Sequence, residues 1–191
     1  MSCRAGFVWS TPQHFNRYIE ECGITCELVT PHMLAAPFYR PTLNCLIIPT
    51  GFANPAYSNL LPALRASSPR IQRFVENGGS LLVFGAAVDK PDAYDWLPFS
   101  VMYQHDCRPR NIALATGSGT QSIIDDYNTT AIECDGIFPE HEGKRIGTCD
   151  SAAVIIEEHF GQGRIVVTSI HEYPSRGFLK NFCTQGIPTT F

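Results

Sequence analysis

The chain has 191 residues, 44% of them hydrophobic and 17% charged, with a formal net charge of −4 at pH 7. A chain of this length buries about 70% of the surface its unfolded form exposes, so a single core can hold without staples. Its 14 lysines and arginines are scattered rather than gathered into a basic stripe, which speaks against nucleic acid as a partner.

Hydropathy and the chain start narrow the setting. No apolar run approaches the roughly 18 residues a membrane helix needs, so no membrane partner is expected. Met1-Ser2-Cys3-Arg4 lacks the basic segment and long apolar stretch of a secretory signal, and a cytoplasmic location is expected. The eight cysteines include no CxxC pair; in a reducing compartment most read as small apolar core residues.

In chain order, residues 5–10 read as a first strand, and Ser10 as the cap of a helix with Pro12 in its opening turn. Phe15, Tyr18, Ile19 and Cys22 recur at i, i+3, i+4 and i+7, giving that helix one apolar face, and Gly23 ends it. Residues 26–30 form a short strand stopped by Pro31. Residues 45–49, CLIIP, are apolar enough for a strand buried on both faces. Leu60, Leu61 and Leu64 predict a short helix, and Ser68-Pro69 opens a second one carrying Ile71, Phe74 and Val75. This alternation predicts an α/β fold: a mostly parallel central sheet with helices on both faces. Beyond Asp89 helical periodicity fades. Residues 101–103, 112–115, 131–134 and 153–157 read as strands, and residues 90–160 as a β-rich elaboration of one domain spanning 1–191. Asn128-Thr129-Thr130 fits a glycosylation acceptor pattern but reads as a turn.

The stretch from Phe74 to Asp89 carries the most information. A helix closes on Asn77-Gly78-Gly79, a buried strand follows at residues 80–84, and the chain turns through Gly85-Ala86-Ala87. In open α/β sheets ligands and catalytic groups collect at such carboxyl ends of strands. Near the end of the chain, Gly161-Gln162-Gly163-Arg164 leads into a strand at 165–169 and then His171-Glu172.

Together these two segments resemble class I glutamine amidotransferase-like proteins, over residues 5–89 and 150–180. The resemblance implies a flavodoxin-like α/β fold in which a tight elbow presents a cysteine and the last strand delivers the histidine and a nearby glutamate of a Cys-His-Glu triad. Gly85 stands where that cysteine is expected, and His171 and Glu172 fill the other two positions. One oxyanion donor is expected at Thr50-Gly51-Phe52 and the other at Gly85-Ala86. Removing the nucleophile from a serine triad lowers turnover by about 10^6, leaving roughly 10^3 to 10^4 over water. That residue would not support an amidotransferase.

The leading expectation is therefore a non-catalytic binding or scaffolding domain, without glutaminase activity or cofactor. Its ligand or partner enzyme would meet Thr50, Gly51, Phe52, Gly85, Ala86, His171 and Glu172. A hydrolase of the same fold stays open, with His171 as general base, Glu172 as its orienter, and Cys134 or an activated water as attacker. So does a metal-dependent hydrolase drawing on His141 and His171. Asp135-Gly136 reads as a turn, Glu140-His141-Glu142 as a polar loop, and His105, Cys107 and His159 as surface or core filling.

Overall fold

The computed structural model describes residues 3–127 and 131–191; Asn128-Thr129-Thr130 lies outside them. β1 (Arg4–Val8), α1 (His14–Glu21), β2 (Thr25–Val29), α2 (Pro31–Ala35), β3 (Thr42–Leu43), β4 (Cys45–Ile48), α3 (Leu60–Glu76) and β5 (Ser80–Val83) make the first half. β6 (Gln104–Asn111), β7 (Ala113–Leu114), a 3-10 helix (Gly119–Ile124), β8 (Ala131–Ile137), β9 (Lys144–Cys149), β10 (Ala152–Phe160), β11 (Gly163–Thr168), α4 (Arg176–Gln185) and β12 (Thr189–Thr190) follow.

Eight strands form one sheet in the order β2-β1-β4-β5-β11-β10-β9-β7. The five from β2 to β11 run parallel, and β10, β9 and β7 extend the sheet antiparallel. Strand alternation divides the core between the two faces. Leu46, Ile48, Leu81 and Val83 meet Leu34 of α2 and Leu64, Ile71 and Phe74 of α3. Cys45, Ile47 and Leu82 meet Phe15 and Ile19 of α1 and Phe178 and Phe182 of α4. Both helix layers exist because β4 and β5 are apolar on every residue, as a doubly covered parallel strand requires.

Several local expectations change. The first helix starts at His14, where the Gln13 N–H is taken by Asn16 Oδ1 at 2.7 Å, rather than after Ser10. Pro31 opens α2, because Thr30 Oγ1 accepts the Met33 N–H at 3.3 Å and proline suits the first helical position. α3 runs unbroken through Pro69 instead of dividing there, its apolar residues staying on one buried face across the missing N–H. Arg65, the residue whose carbonyl loses that donor, holds Asp92 and Asp95 with its side chain.

In the second half, Val101 is only an isolated bridge to His141, and the strand nearby is β6. β6 pairs with β8 in a separate two-stranded ribbon, while the elaboration's other strands join the main sheet. The 3-10 helix is anchored by buried Glu157, whose Oε2 accepts from the hydroxyls of Ser118, at 2.7 Å, and Thr120. Cys3 and Cys183 are joined in a disulfide with Cα atoms 6.1 Å apart, within the range such bonds span, where the composition suggested free thiols. No helix among the described residues is long and apolar enough to cross a membrane.

Candidate functional site

A cleft of about 550 Å³ opens at the carboxyl edge of the parallel strands. Its floor comes from the ends of β1, β4 and β5, which contribute Phe7, Thr50, Gly51 and Phe84, together with Ala87. Trp9, Phe15, Tyr57 and Tyr173 wall it with rings, and Phe15 stacks on Tyr173 with centroids 4.6 Å apart. The polar groups are Gln13, Thr50, His105, Cys107, Asp135, His171 and Glu172.

Backbone pairing decides which of these meet. The Asp135 N–H donates to the Ser169 carbonyl at 2.7 Å and the His171 N–H to the Glu133 carbonyl at 2.8 Å, with Cys134 bridged to Ile170 between them. Side chains alternate along such a pairing, so Asp135 and His171 share one face while Cys134 and Ile170 share the other. His171 Nδ1 lies 3.0 Å from Asp135 Oδ1. Cys134 instead enters the apolar cluster under α1 and α4, its thiol directed to the Ile132 carbonyl. Burial pushes that thiol up to about 12. The candidate attacker at Cys134 is thus turned away from His171 by strand geometry.

The carboxylate of Asp135 occupies the space above the elbow. A β-carbon at position 85 would lie 2.5 Å from Asp135 Oδ2 and 2.7 Å from its Cβ, so the backbone there must stay bare. Asp135 is only 2% exposed, and its Oδ2 has no partner in bonding geometry. Burial raises its pKa, against the hydrogen bond and charge of His171, the charge of His105, and the nearby Thr50 hydroxyl. With Asp135 ionised, Nδ1 of His171 donates to it and Nε2 is left to accept a proton. Asp135, not Glu172, orients the imidazole. Glu172 Oε1 accepts the Glu133 N–H at 3.0 Å.

The expected oxyanion donors are already engaged. Gly51 N–H donates to the Gly85 carbonyl at 2.8 Å. Ala86 N–H meets the Tyr94 hydroxyl, which itself donates to the Phe84 carbonyl at 2.9 Å. Ala87 N–H meets the Tyr103 hydroxyl, which donates to the Asp135 carbonyl at 3.0 Å. Ala87 is also the residue with left-handed backbone, φ 51°, and Asn54 Nδ2 holds its carbonyl at 2.8 Å. A non-glycine residue in that region stores backbone strain of order 1–3 kcal/mol.

Of the residues expected at the site, Thr50, Gly51, His171 and Glu172 line the cleft. Phe52 does not; it is fully buried against Tyr94 and Trp96. Gly85 and Ala86 lie beneath the lining, the first covered by Asp135 and the second fully buried. His105 and Cys107, read as filler, do line it. The Cys107 thiol faces Glu133 Oε1 at 3.6 Å, and burial with the nearby carboxylates of Asp135 and Glu133 raises its pKa. Asp135-Gly136 is mid-strand rather than a turn, because glycine lets Tyr103 and the Gln104 carbonyl close in on β8. The signal for it was present in the alternation of Ile132 and Cys134 with Glu133 and Asp135. Glu140-His141-Glu142 pairs with residues 100–102, Glu142 Oε2 taking the Ser100 N–H at 2.8 Å. Among the described residues no group of three or more metal-ligating side chains is assembled.

A mostly parallel sheet covered on both faces, with a small-residue elbow at its carboxyl edge and extra antiparallel strands, is the class I glutamine amidotransferase-like α/β fold. Among solved structures the chain is similar to a GMP synthase component from Thermoplasma acidophilum, with a TM-score of 0.63 over 97% of this chain and 94% of that one. It is similar to a cytoplasmic protein of Salmonella typhimurium LT2 at 0.60, covering 95% and 96%. It also matches a β-galactosidase of Bacillus circulans at 0.60, covering 97% of this chain and 32% of the enzyme. Sequence identity is 12% in each case, so the likeness is one of fold. No family model matches the sequence, and no curated protein matches it.

Proposed function

We propose that the chain is a small-molecule-binding or scaffolding domain of the glutamine amidotransferase-like fold that carries out no thiol chemistry. The observation that carries this reading is the elbow. Gly85 is sealed beneath Asp135, and Ala87, the left-handed residue the cleft reaches, ends in a methyl group. In nucleophile elbows the strained residue after the strand is the one presented, which favours Ala87 over Gly85 as the vacated position. The engaged N–H groups of Gly51, Ala86 and Ala87 support the same conclusion, since an oxyanion needs free donors. The β-galactosidase match gives the scaffolding side support: the fold is also built as about a third of a larger enzyme chain.

The test is ammonia release from glutamine by the purified chain. No release above a heat-denatured control is expected, and sustained turnover would overturn the proposal. One observation favours a second reading, hydrolysis by an activated water: the 3.0 Å pairing of His171 with Asp135, which suits a general base. In that case a panel of small esters and amides would reveal turnover that His171→Ala removes, while Cys107→Ser and Cys134→Ser leave it intact.

A further inference from the structure

Resting on the reading of this cleft as a ligand site, we propose that its ligand is an organic ammonium ion: a protonated primary or secondary amine on an apolar, ring-sized body. The cleft is lined by rings and by two carboxylates, Asp135 and Glu172, and by no lysine or arginine. Each carboxylate is half satisfied. Asp135 Oδ1 meets His171 and Glu172 Oε1 meets the Glu133 N–H, whereas Asp135 Oδ2 and Glu172 Oε2 are buried without a partner among the described residues. Buried acceptors left unpaired are costly, and a ligand bringing N–H donors and positive charge relieves that cost.

The walls fit the rest of such a molecule. Trp9, Tyr57 and Tyr173 supply ring faces and edges around the same space, and aromatic faces attract cations as they attract apolar bodies. An anion meets the opposite circumstances: two carboxylates, no guanidinium or ammonium, and the nearest elbow N–H groups already bonded inside the protein. Phosphates and carboxylic acids are therefore excluded.

Three probes share one body and differ in charge: phenethylammonium, 2-phenylethanol and phenylacetate. Titration calorimetry at pH 8, above the range in which imidazoles ordinarily protonate, is expected to rank them in that order. The ammonium should exceed the alcohol by about tenfold in affinity, and this preference should weaken with salt. Glu172→Gln should remove most of the preference while leaving 2-phenylethanol binding unchanged, and Trp9→Ala should weaken both. If phenylacetate or the alcohol binds the intact protein as tightly as the ammonium, and Trp9→Ala still weakens it, the charge assignment fails and the ligand site stands. If no probe gives saturable binding that Trp9→Ala alters, both fail.

Discussion

The contact between Asp135 and the bare backbone of Gly85 makes a quantitative prediction. Gly85→Ala inserts a methyl group 2.5 Å from Asp135 Oδ2, 2.7 Å from Cβ and 3.0 Å from Cγ. Asp135 has little freedom to retreat, because its N–H is bonded to Ser169 and its carboxylate to His171. Overfilling a packed site costs about 1–3 kcal/mol. Displacing the carboxylate from His171 adds a charge-assisted hydrogen bond worth about 1.5–3 kcal/mol. A loss of about 3 kcal/mol is expected, which for a chain of this length lowers Tm by about 6–12 °C. Asp135→Ala in the same chain removes the carboxylate and leaves only the Cβ contact, so the double variant should recover part of the loss. Urea melts of the four proteins in the cycle should give a coupling of about 1 kcal/mol or more in favour of the double variant. Additivity within about 0.5 kcal/mol would show that Asp135 does not cover Gly85, and the elbow would have to be reconsidered.

Two further predictions concern the elbow thiol and the buried acids. In a Cys107→Ser background, Ala87→Cys should be alkylated readily by a small iodoacetamide because Ala87 lines the cleft, yet should not release ammonia from glutamine, because the nearby donors are bonded. Protection of that thiol to the level of buried Cys134 would remove Ala87 from the cleft floor. Asp135 and Glu157 should act oppositely on stability as pH changes. Burial raises Asp135 above its ordinary 3.8, so its contribution is full below that value and is lost as pH rises through the folded pKa. At Glu157, burial is outweighed by hydrogen bonds from Thr120 and Ser118 and by the charges of Arg164 and His159, which lowers it from 4.5. Its contribution is present above 4.5 and is lost as pH falls through the folded pKa. Chemical melts between pH 3 and pH 7 should therefore show Glu157→Gln flattening the acid loss and Asp135→Asn steepening it; matching slopes in the two variants would contradict the assigned directions.

The parallel half of the fold was legible because its cues are local. CLIIP and SLLVF are apolar without alternation, and the flanking helices show one apolar face each. The ribbon was not. β6, QHDCRPRN, is mostly exposed and contains a proline, so neither alternation nor β-propensity marks it as a strand. It is held by pairing with β8, a partner some twenty residues away in sequence. The site shows the same division. His171 and Glu172 were visible as residues following an apolar strand. Asp135 was hidden by an Asp-Gly pair that ordinarily signals a turn, and its meeting with His171 depends on a ladder between residues 133–135 and 169–171 that no spacing reveals. Ala87 was overlooked because a left-handed backbone leaves no trace in the identity of an alanine.

The two tyrosines behind the elbow carry a consequence for any return to catalysis. Their rings belong to the main hydrophobic core while their hydroxyls close the N–H groups of Ala86 and Ala87. Clearing those donors by truncating either ring would cost about 3–5 kcal/mol, a large part of a typical domain's stability. Reinstalling sulfur is one codon's work, but freeing the amides would threaten the scaffold. The inactivity proposed for this chain is thus ratcheted by its own packing.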